Sequence, residues 1–149
     1  MINIIKVTRA HEFPAGICQS EVVEFLYTHL DRFRDSRESI SQAIDYCFSS
    51  ETGKGGYLLL AREKAETVGV VVMNKTGMQG YIPENILVYI AVHPDKRGKG
   101  LGAQLIREVF SNTEGNIALH VEYDNPARRL YERLGFTTKY AEMRWQKDA

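Results

Sequence analysis

The 149-residue sequence has few cysteines, no charge excess and no long apolar run. Two cysteines without metal-ligand spacing exclude a disulfide framework, so we expect Cys18 and Cys47 to be free, buried thiols in a reducing cytoplasm. Lys and Arg total 19 against 19 Asp and Glu, which favours neither nucleic acid nor an anionic membrane as a partner. No apolar stretch approaches the length of a membrane span, and residues 1–16 lack the apolar core of a signal peptide.

The remaining composition is that of an ordinary soluble globular protein. The length predicts one domain, residues 1–149, with room for a sizeable core. The four histidines are scattered along the chain without the spacing of metal ligands, so we expect no metal.

Hydrophobic periodicity divides the chain into strands and helices of an α/β fold. The predicted strands span residues 2–7, 57–62, 67–73, 86–92, 116–122 and 136–146. The predicted helices are residues 19–34, a segment capped by Ser36, a segment that ends near residue 112, and a segment capped by Asn125. Because strand, helix and strand follow one another between residues 86 and 122, we expect a right-handed crossover and parallel pairing of these two strands.

The clearest functional signal is a buried strand followed by a glycine-rich basic loop and a helix. Residues 86–92 are apolar except Tyr89, which predicts a strand covered on both faces. Residues 97–102 then read Arg-Gly-Lys-Gly-Leu-Gly. Glycines let an anion approach the main chain, and the free N–H groups of a first helical turn attract phosphate. With the charges of Arg97 and Lys99 added, the loop is predicted to bind a pyrophosphate.

Two common phosphate-binding loops do not fit this sequence. A Walker-type loop has Ser or Thr after its Gly-Lys pair, whereas Gly100 follows Lys99. A dinucleotide-binding loop spaces its glycines as Gly-x-Gly-x-x-Gly, whereas here they are Gly98, Gly100 and Gly102. The loop does resemble Arg/Gln-x-x-Gly-x-Gly/Ala, the coenzyme A pyrophosphate loop of the GNAT superfamily of N-acetyltransferases. Arg97, Gly100 and Gly102 fill its three defining places.

A second segment resembles the same family. In GNAT proteins Asn-x-x-Ala-x-x-x-Tyr-x-x-x-Gly-Phe follows the fifth strand, and the matching residues here are Asn125, Ala127, Tyr131, Gly135 and Phe136, with Ala127 one residue earlier than the strict spacing. The local signals agree, since Asn is a good N-cap and Gly fits the position after a helix. The resemblance covers nearly the whole chain and implies a mixed, mostly antiparallel sheet of six to seven strands flanked by about four helices.

The resemblance also implies a co-substrate, acetyl-CoA, and residues that serve it. The implied binding residues are Ile90, Ala91, Val92, Arg97, Gly98, Lys99, Gly100, Leu101, Gly102 and Asn125. Strand 86–92 would separate from strand 116–122 near its end, so that its backbone pairs with the pantetheine arm. The N–H of Ala91 or Val92 would then serve the oxyanion. Tyr131 would donate a proton to the leaving thiolate, and the alternative for this residue is a core aromatic without a catalytic role.

The general base has no distinct candidate. Some family members carry a glutamate on the central strand, but the matching position here is Ile86. Five ionisable residues lie nearby in sequence, and the pattern singles out none of them: Glu84, Tyr89, His93, His120 and Glu122. A chain of water molecules to solvent would also serve an amine of modest pKa.

These observations predict an acetyl-CoA-dependent N-acetyltransferase that moves an acetyl group to a primary amine. Because no cysteine lies near the loop in sequence, we expect direct attack in a ternary complex rather than an acyl-enzyme. A small-molecule acceptor is favoured over a peptide. The alternatives are transfer to a protein N-terminus or lysine, and a non-catalytic acyl-CoA sensor.

Two stretches outside the motifs carry further expectations. The charged run at residues 31–35 is expected to lie on a solvated helix face. The last predicted strand, residues 136–146, mixes aromatic and charged side chains and is expected to pair across a homodimer, as edge strands can.

Overall fold

The computed structural model describes residues 1–148, which divide into two compact units, Met1–Leu119 and a second unit that begins at His120. The strands are β1 Asn3–Val7, β2 Gly56–Glu63, β3 Glu66–Lys75, β4 Asn85–Val92 and β5 Ile117–Leu119. The α-helices are α1 Gln19–His29, α2 Arg37–Cys47, α3 Leu101–Asn112 and α4 Ala127–Arg133. Three short 3-10 turns cover Ala10–Glu12, Asp31–Phe33 and Pro94–Lys96. No helix in residues 1–148 is long and apolar enough to cross a membrane.

The first unit is built on a mixed, mostly antiparallel sheet with strand order β1-β2-β3-β4-β5. The first four strands pair antiparallel with their neighbours, and β4 pairs parallel with β5. The predicted parallel pairing of the strands around α3 is therefore confirmed. The hairpin between β2 and β3 turns on Lys64 and Ala65, which both have positive φ, as a two-residue turn requires.

Alternating side chains of the sheet form two cores, one on each face. Leu58, Leu60 and Val70 point to one face, where α1 and α2 cover them. Leu59 and Val71 point to the opposite face and pack with the apolar side of α3. Because both faces of the central strands are covered, these strands read as almost continuous apolar runs. The central strands are thus held between two close-packed layers of side chains.

The second unit contains α4 and the C-terminal segment. The Oδ1 atom of Asn125 accepts a hydrogen bond from the N–H of Ala127 at 2.9 Å, which confirms the predicted capping role. At the other end, Gly135 has φ +104, and the N–H of Phe136 donates to the carbonyl of Tyr131 at 3.0 Å. This geometry confirms the predicted glycine-terminated end of the helix.

The predicted strand count of six to seven is too high, because residues 1–148 contain five strands. The predicted strand at 136–146 is absent, and Tyr140, Met143 and Trp145 are each at least 80% exposed. Its apolar residues, Phe136 included, do not recur with a period of two, so a strand could not place them on one face. The mixed α/β fold with four helices is confirmed.

The helix predicted over residues 19–34 is shorter than expected. It ends at His29 and is followed by the 3-10 turn, whose first residue, Asp31, has φ +55. The side-chain oxygen of Ser36 caps α2 as predicted, accepting from the N–H of Ser39 at 3.1 Å. Cys47 is buried, but Cys18 is exposed, because it lies outside the covered face at the start of α1.

Candidate active site

The fifth strand pairs with β4 for only three residues. The register joins Asn85 to Ile117 and ends where Leu87 pairs with Leu119. Within the unit Met1–Leu119, β4 continues to Val92 with no strand partner on that side. Residues 88–92 on this side are called the open edge of β4. A bulge in the ladder to β3 falls at the same place, where the register shifts after Leu87 and leaves one extra residue in β4.

The register with β3 decides which backbone groups face the open edge. The N–H of His93 donates to the carbonyl of Val68 at 2.8 Å, so this pair is a hydrogen-bonded one. By alternation along the antiparallel ladder, Ala91 also exchanges its hydrogen bonds with β3. The N–H and C=O groups of Ile90 and Val92 therefore point to the open edge. Of the two amides expected to serve an oxyanion, that of Val92 faces the open edge, whereas that of Ala91 faces β3.

Residues 97–100 form a loop that is open to solvent at its two glycines, whereas Leu101 and Gly102, predicted to belong to the same loop, begin helix α3. Gly98 and Gly100 have φ +75 and +86, a backbone conformation that side chains disfavour, and a Cβ at either position would meet no protein atom within 4 Å. The helix α3 starts at Leu101, and its first hydrogen bond runs from the N–H of Gln104 to the carbonyl of Gly100 at 3.0 Å. The preceding N–H groups, including that of Gly102, have no partner within the helix and can bind an anion.

The two cations of the loop are placed differently. The guanidinium of Arg97 donates from Nε to the carbonyl of Val92 and from Nη2 to the carbonyl of His29, both at 3.0 Å. Two of its five donors are thus committed to the main chain of β4 and α1, and the others remain for a ligand. Lys99 is exposed and forms no ion pair with another residue of the described chain, so its ammonium group is available to an anion.

Two histidines meet where α1 and β4 end. The rings of His29 and His93 lie 4.9 Å apart, and Phe25 contacts His29 from its own helix at 4.5 Å. Burial, with smaller contributions from His93 and Arg97, lowers the pKa of His29 below 6.5. His93 accepts a hydrogen bond at Nδ1 from the N–H of Asp95 at 3.1 Å, so the lone pair that a base would use caps the turn instead.

Glu84 is a poor base in this fold. Its two carboxylate oxygens accept hydrogen bonds from the N–H groups of Asn116 at 2.6 Å and Gly80 at 3.1 Å, and these bonds lower its pKa. Glu84 and His93 are thus poor candidates for a dedicated base, whereas His120 and Glu122 belong to the second unit, as Tyr131 does.

Tyr89 has a partner that its sequence position did not reveal. Its hydroxyl donates to Oδ2 of Asp35 at 2.6 Å, and burial, followed by this carboxylate, raises the pKa of the phenol well above 10. Asp35 lies between the 3-10 turn and α2, so its predicted place on a helix face is wrong. The two residues are 54 positions apart, and no local pattern could have joined them.

Within the second unit, Tyr131 is on α4 and is 7% exposed, with its ring 5.9 Å from that of Phe136. Burial raises the pKa of its phenol to about 12, so the hydroxyl keeps its proton through the neutral range. Asn125 uses Oδ1 in capping the helix, which leaves the two hydrogens of its amide nitrogen to donate elsewhere.

The sequence model of an acetyltransferase (GNAT) domain matches residues 54–138. This stretch includes β4 with its open edge, the 97–102 loop and α4. The chain belongs to the GNAT acetyltransferase family. The resemblance drawn from the two sequence motifs is therefore confirmed.

Similar proteins are found among curated sequences and solved structures. A 5-NmdU N-acetyltransferase from Pseudomonas phage PaMx11 is 33% identical over 93 residues, which is 60% of this chain and 64% of that protein, less than two thirds of its length. A GNAT acetyltransferase from Desulfovibrio desulfuricans superposes with a TM-score of 0.72 at 20% identity, covering 94% and 87% of the two chains. An aminoglycoside N-acetyltransferase solved with CoA gives a TM-score of 0.71 at 13% identity, covering 100% and 96%. At identities of 20% and 13%, these two superpositions show that the folds are alike and no more.

Proposed function

We propose that the protein is an acetyl-CoA-dependent N-acetyltransferase that acetylates a primary amine. One observation carries the proposal: among residues 1–148, the N–H groups of Ile90 and Val92 on β4 have no strand partner, immediately before a glycine-rich loop and a helix N-terminus. A ligand with an extended, amide-containing arm that ends in a pyrophosphate fits N–H donors arranged in this order, first along the strand and then at the helix start. Family membership supports the same ligand.

Acetyl-CoA supplies the activated acetyl group as a thioester. The open edge would bind the pantetheine arm through Ile90 and Val92, while the N–H groups at the start of α3 and the ammonium of Lys99 would bind the pyrophosphate. Gly98 and Gly100 fit this role because open space surrounds the positions where their side chains would be. Arg97 would hold the end of β4 in place and direct its remaining donors to the phosphates.

The residues of this chain favour direct transfer to the amine. Cys47 is a poor acyl carrier, since its thiol is buried against the carbonyl of Met73 and burial raises its pKa to about 12. Cys18 lies at the far end of α1 from His29, about 16 Å away by helix rise. The backbone donor of Ile90 or Val92 would stabilise the charge that develops on the thioester oxygen. Tyr131, whose phenol keeps its proton, is proposed as the acid for the leaving thiolate.

The acceptor is proposed to be a primary amine, with a small molecule favoured over a protein. The phage relative is named for 5-NmdU, and one structural neighbour is an aminoglycoside N-acetyltransferase. The first panel of amines to be tested therefore includes 5-NmdU and aminoglycosides. A peptide with a free N-terminus and a lysine peptide cover the protein alternative.

The test is isothermal titration with acetyl-CoA followed, in the same sample, by a free-thiol assay against this panel. We expect binding without amine and thiol release with one class of amine, together with the acetylated amine by mass spectrometry. An acetylated protein after mixing with acetyl-CoA alone would contradict direct transfer. Binding without thiol release for any amine would support a sensor, and absence of binding would overturn the proposal.

A further inference from the structure

The carboxylate of Asp35, at the junction between α1 and α2, accepts a hydrogen bond from a side chain in the middle of β4. The phenol of Tyr89 is 8% exposed and donates to its Oδ2 at 2.6 Å, which fixes the position of one carboxylate oxygen. Asp35 itself is exposed. A buried donor therefore holds a solvent-facing carboxylate in one place, and the second oxygen, Oδ1, is left to bind something else.

Neighbouring arginines do not neutralise this carboxylate, although two of them lie within two residues of it in sequence. The guanidinium carbons of Arg34 and Arg37 lie 3.9 and 3.8 Å from the ring centre of Tyr27. Arg37 also pairs with Glu24 at 2.5 Å. Among residues 1–148, no Lys or Arg forms an ion pair with Asp35. The carboxylate of Asp35 is thus held in position by Tyr89 and is not paired with a neighbouring arginine.

Asp35 is hydrogen-bonded to a side chain of the strand that carries the open edge. Its partner Tyr89 directly precedes Ile90, whose N–H faces that edge. A primary alkylamine is mainly an ammonium ion near neutral pH, so a protein that binds it gains from a positioned anion. Glu84, the other acid close to β4 in sequence, already has both oxygens occupied by backbone N–H groups.

We propose that Asp35, positioned by Tyr89, binds the ammonium group of the acceptor amine and sets the preference of the enzyme for cationic amines. This assignment rests on the proposed N-acetyltransferase function. Asp35 is a specificity-determining residue here: it binds the ammonium form, and the protons that the amine loses before and after attack pass to solvent water rather than to Asp35. A hydrogen bond between an ammonium donor and a carboxylate is stronger than a neutral one, so its loss is visible in the KM for the acceptor.

The test compares Asp35→Asn with wild type on two kinds of amine at saturating acetyl-CoA. The amide can still accept the phenol hydrogen bond but carries no charge. For the preferred cationic amine of the panel, we expect kcat/KM to fall by about tenfold, mainly through KM. For aniline, which is neutral at pH 7, kcat/KM should stay unchanged. Asp35→Glu, which keeps the charge, should recover part of the loss.

The matched control is Asp31→Asn, which removes the same charge from the same junction. Asp31 tolerates the change because Asn also adopts its positive φ. The proposal is overturned if Asp35→Asn behaves like Asp31→Asn, if both amines lose rate equally, or if acetyl-CoA affinity falls in parallel. Thiol release by the wild-type protein separates the role of Asp35 from the proposed function. If wild type releases thiol and Asp35→Asn is unaffected, only the role of Asp35 is rejected. If wild type releases no thiol with any amine, the proposed function is rejected as well.

Discussion

The Nε atom of Arg97 donates to the carbonyl oxygen of Val92 at 3.0 Å. This carbonyl is one of the groups that face the open edge of β4, so the loop that follows the strand also occupies part of its exposed backbone. The same guanidinium donates to the carbonyl of His29 at the end of α1. Arg97 thus joins the loop, the strand end and a helix on one face of the sheet, and phosphate binding would add to this positioning role.

Replacing Arg97 with Ala is therefore expected to affect both folding and ligand binding. Loss of the two hydrogen bonds should cost about 1 kcal/mol and lower Tm by about 3 °C. The Kd for acetyl-CoA, measured by titration calorimetry, should rise by about tenfold. The control is Lys99→Ala, which removes a loop charge without a main-chain contact and should weaken binding at unchanged Tm. Equal Tm values for the two variants would exclude the positioning role of Arg97.

A side chain at Gly100 should interfere with the ligand more than with the fold. Both Gly100 and Gly80 have positive φ, +86 and +78, and a Cβ at either would meet nothing within 4 Å. Gly100→Ala and Gly80→Ala should therefore destabilise the protein equally, by about 1 kcal/mol in urea unfolding. Only Gly100→Ala should also weaken acetyl-CoA binding, by about tenfold or more, because its methyl group extends toward the anion. If Gly100→Ala and Gly80→Ala bind acetyl-CoA equally well, the pyrophosphate does not lie against Gly100.

Tyr131→Phe tests the proposed acid. The phenol has a pKa of about 12 and carries its proton at neutral pH, so its removal should lower kcat by about 100-fold. Acetyl-CoA affinity should stay the same in calorimetry. Tyr123→Phe is the control, since Tyr123 is 79% exposed in the same unit and should have no effect. An unchanged kcat for Tyr131→Phe would return this tyrosine to a purely structural role.

The partly buried side chain of His29 predicts how the stability of the protein depends on pH. Burial lowers the pKa of His29 in the folded protein, whereas the unfolded chain titrates near 6.5. As the pH falls below about 6.5, the unfolded state binds a proton that the folded state excludes, so the free energy of unfolding decreases. His29→Phe, which keeps a ring beside Phe25, should reduce this decrease between about pH 7.5 and pH 5.5 in urea unfolding. His11→Phe, at an exposed position, should retain it. If the free energy of unfolding of His29→Phe depends on pH as that of wild type does, other groups cause the decrease.

Much of the site could be predicted because its signals are local. The segment 97–102 is recognisable from its closely spaced glycines and charges, and α4 is recognisable from the capping residues at its two ends. Both are properties of a few consecutive residues, which a single sequence displays directly. The alternating faces of the sheet follow in the same way from the apolar pattern of its strands.

What could not be predicted depends on contacts between distant residues. The bond between Tyr89 and Asp35 joins segments 54 residues apart, and the orientation of Arg97 depends on where α1 ends. The choice between the amides of Ala91 and Val92 required the register of β4 against β3. The strand wrongly predicted at 136–146 has the composition of a strand without its period of two, so composition was the weaker guide.

The most direct test of the central claim is amide hydrogen exchange by NMR with and without acetyl-CoA. The N–H groups of Ile90 and Val92 face the open edge, so both should exchange more slowly once the ligand binds. The N–H of Ala91, which faces β3, should be protected in both states and serves as the internal control. If acetyl-CoA binds while Ile90 and Val92 exchange as fast as before, the pantetheine arm does not pair with β4 and the proposed site is wrong.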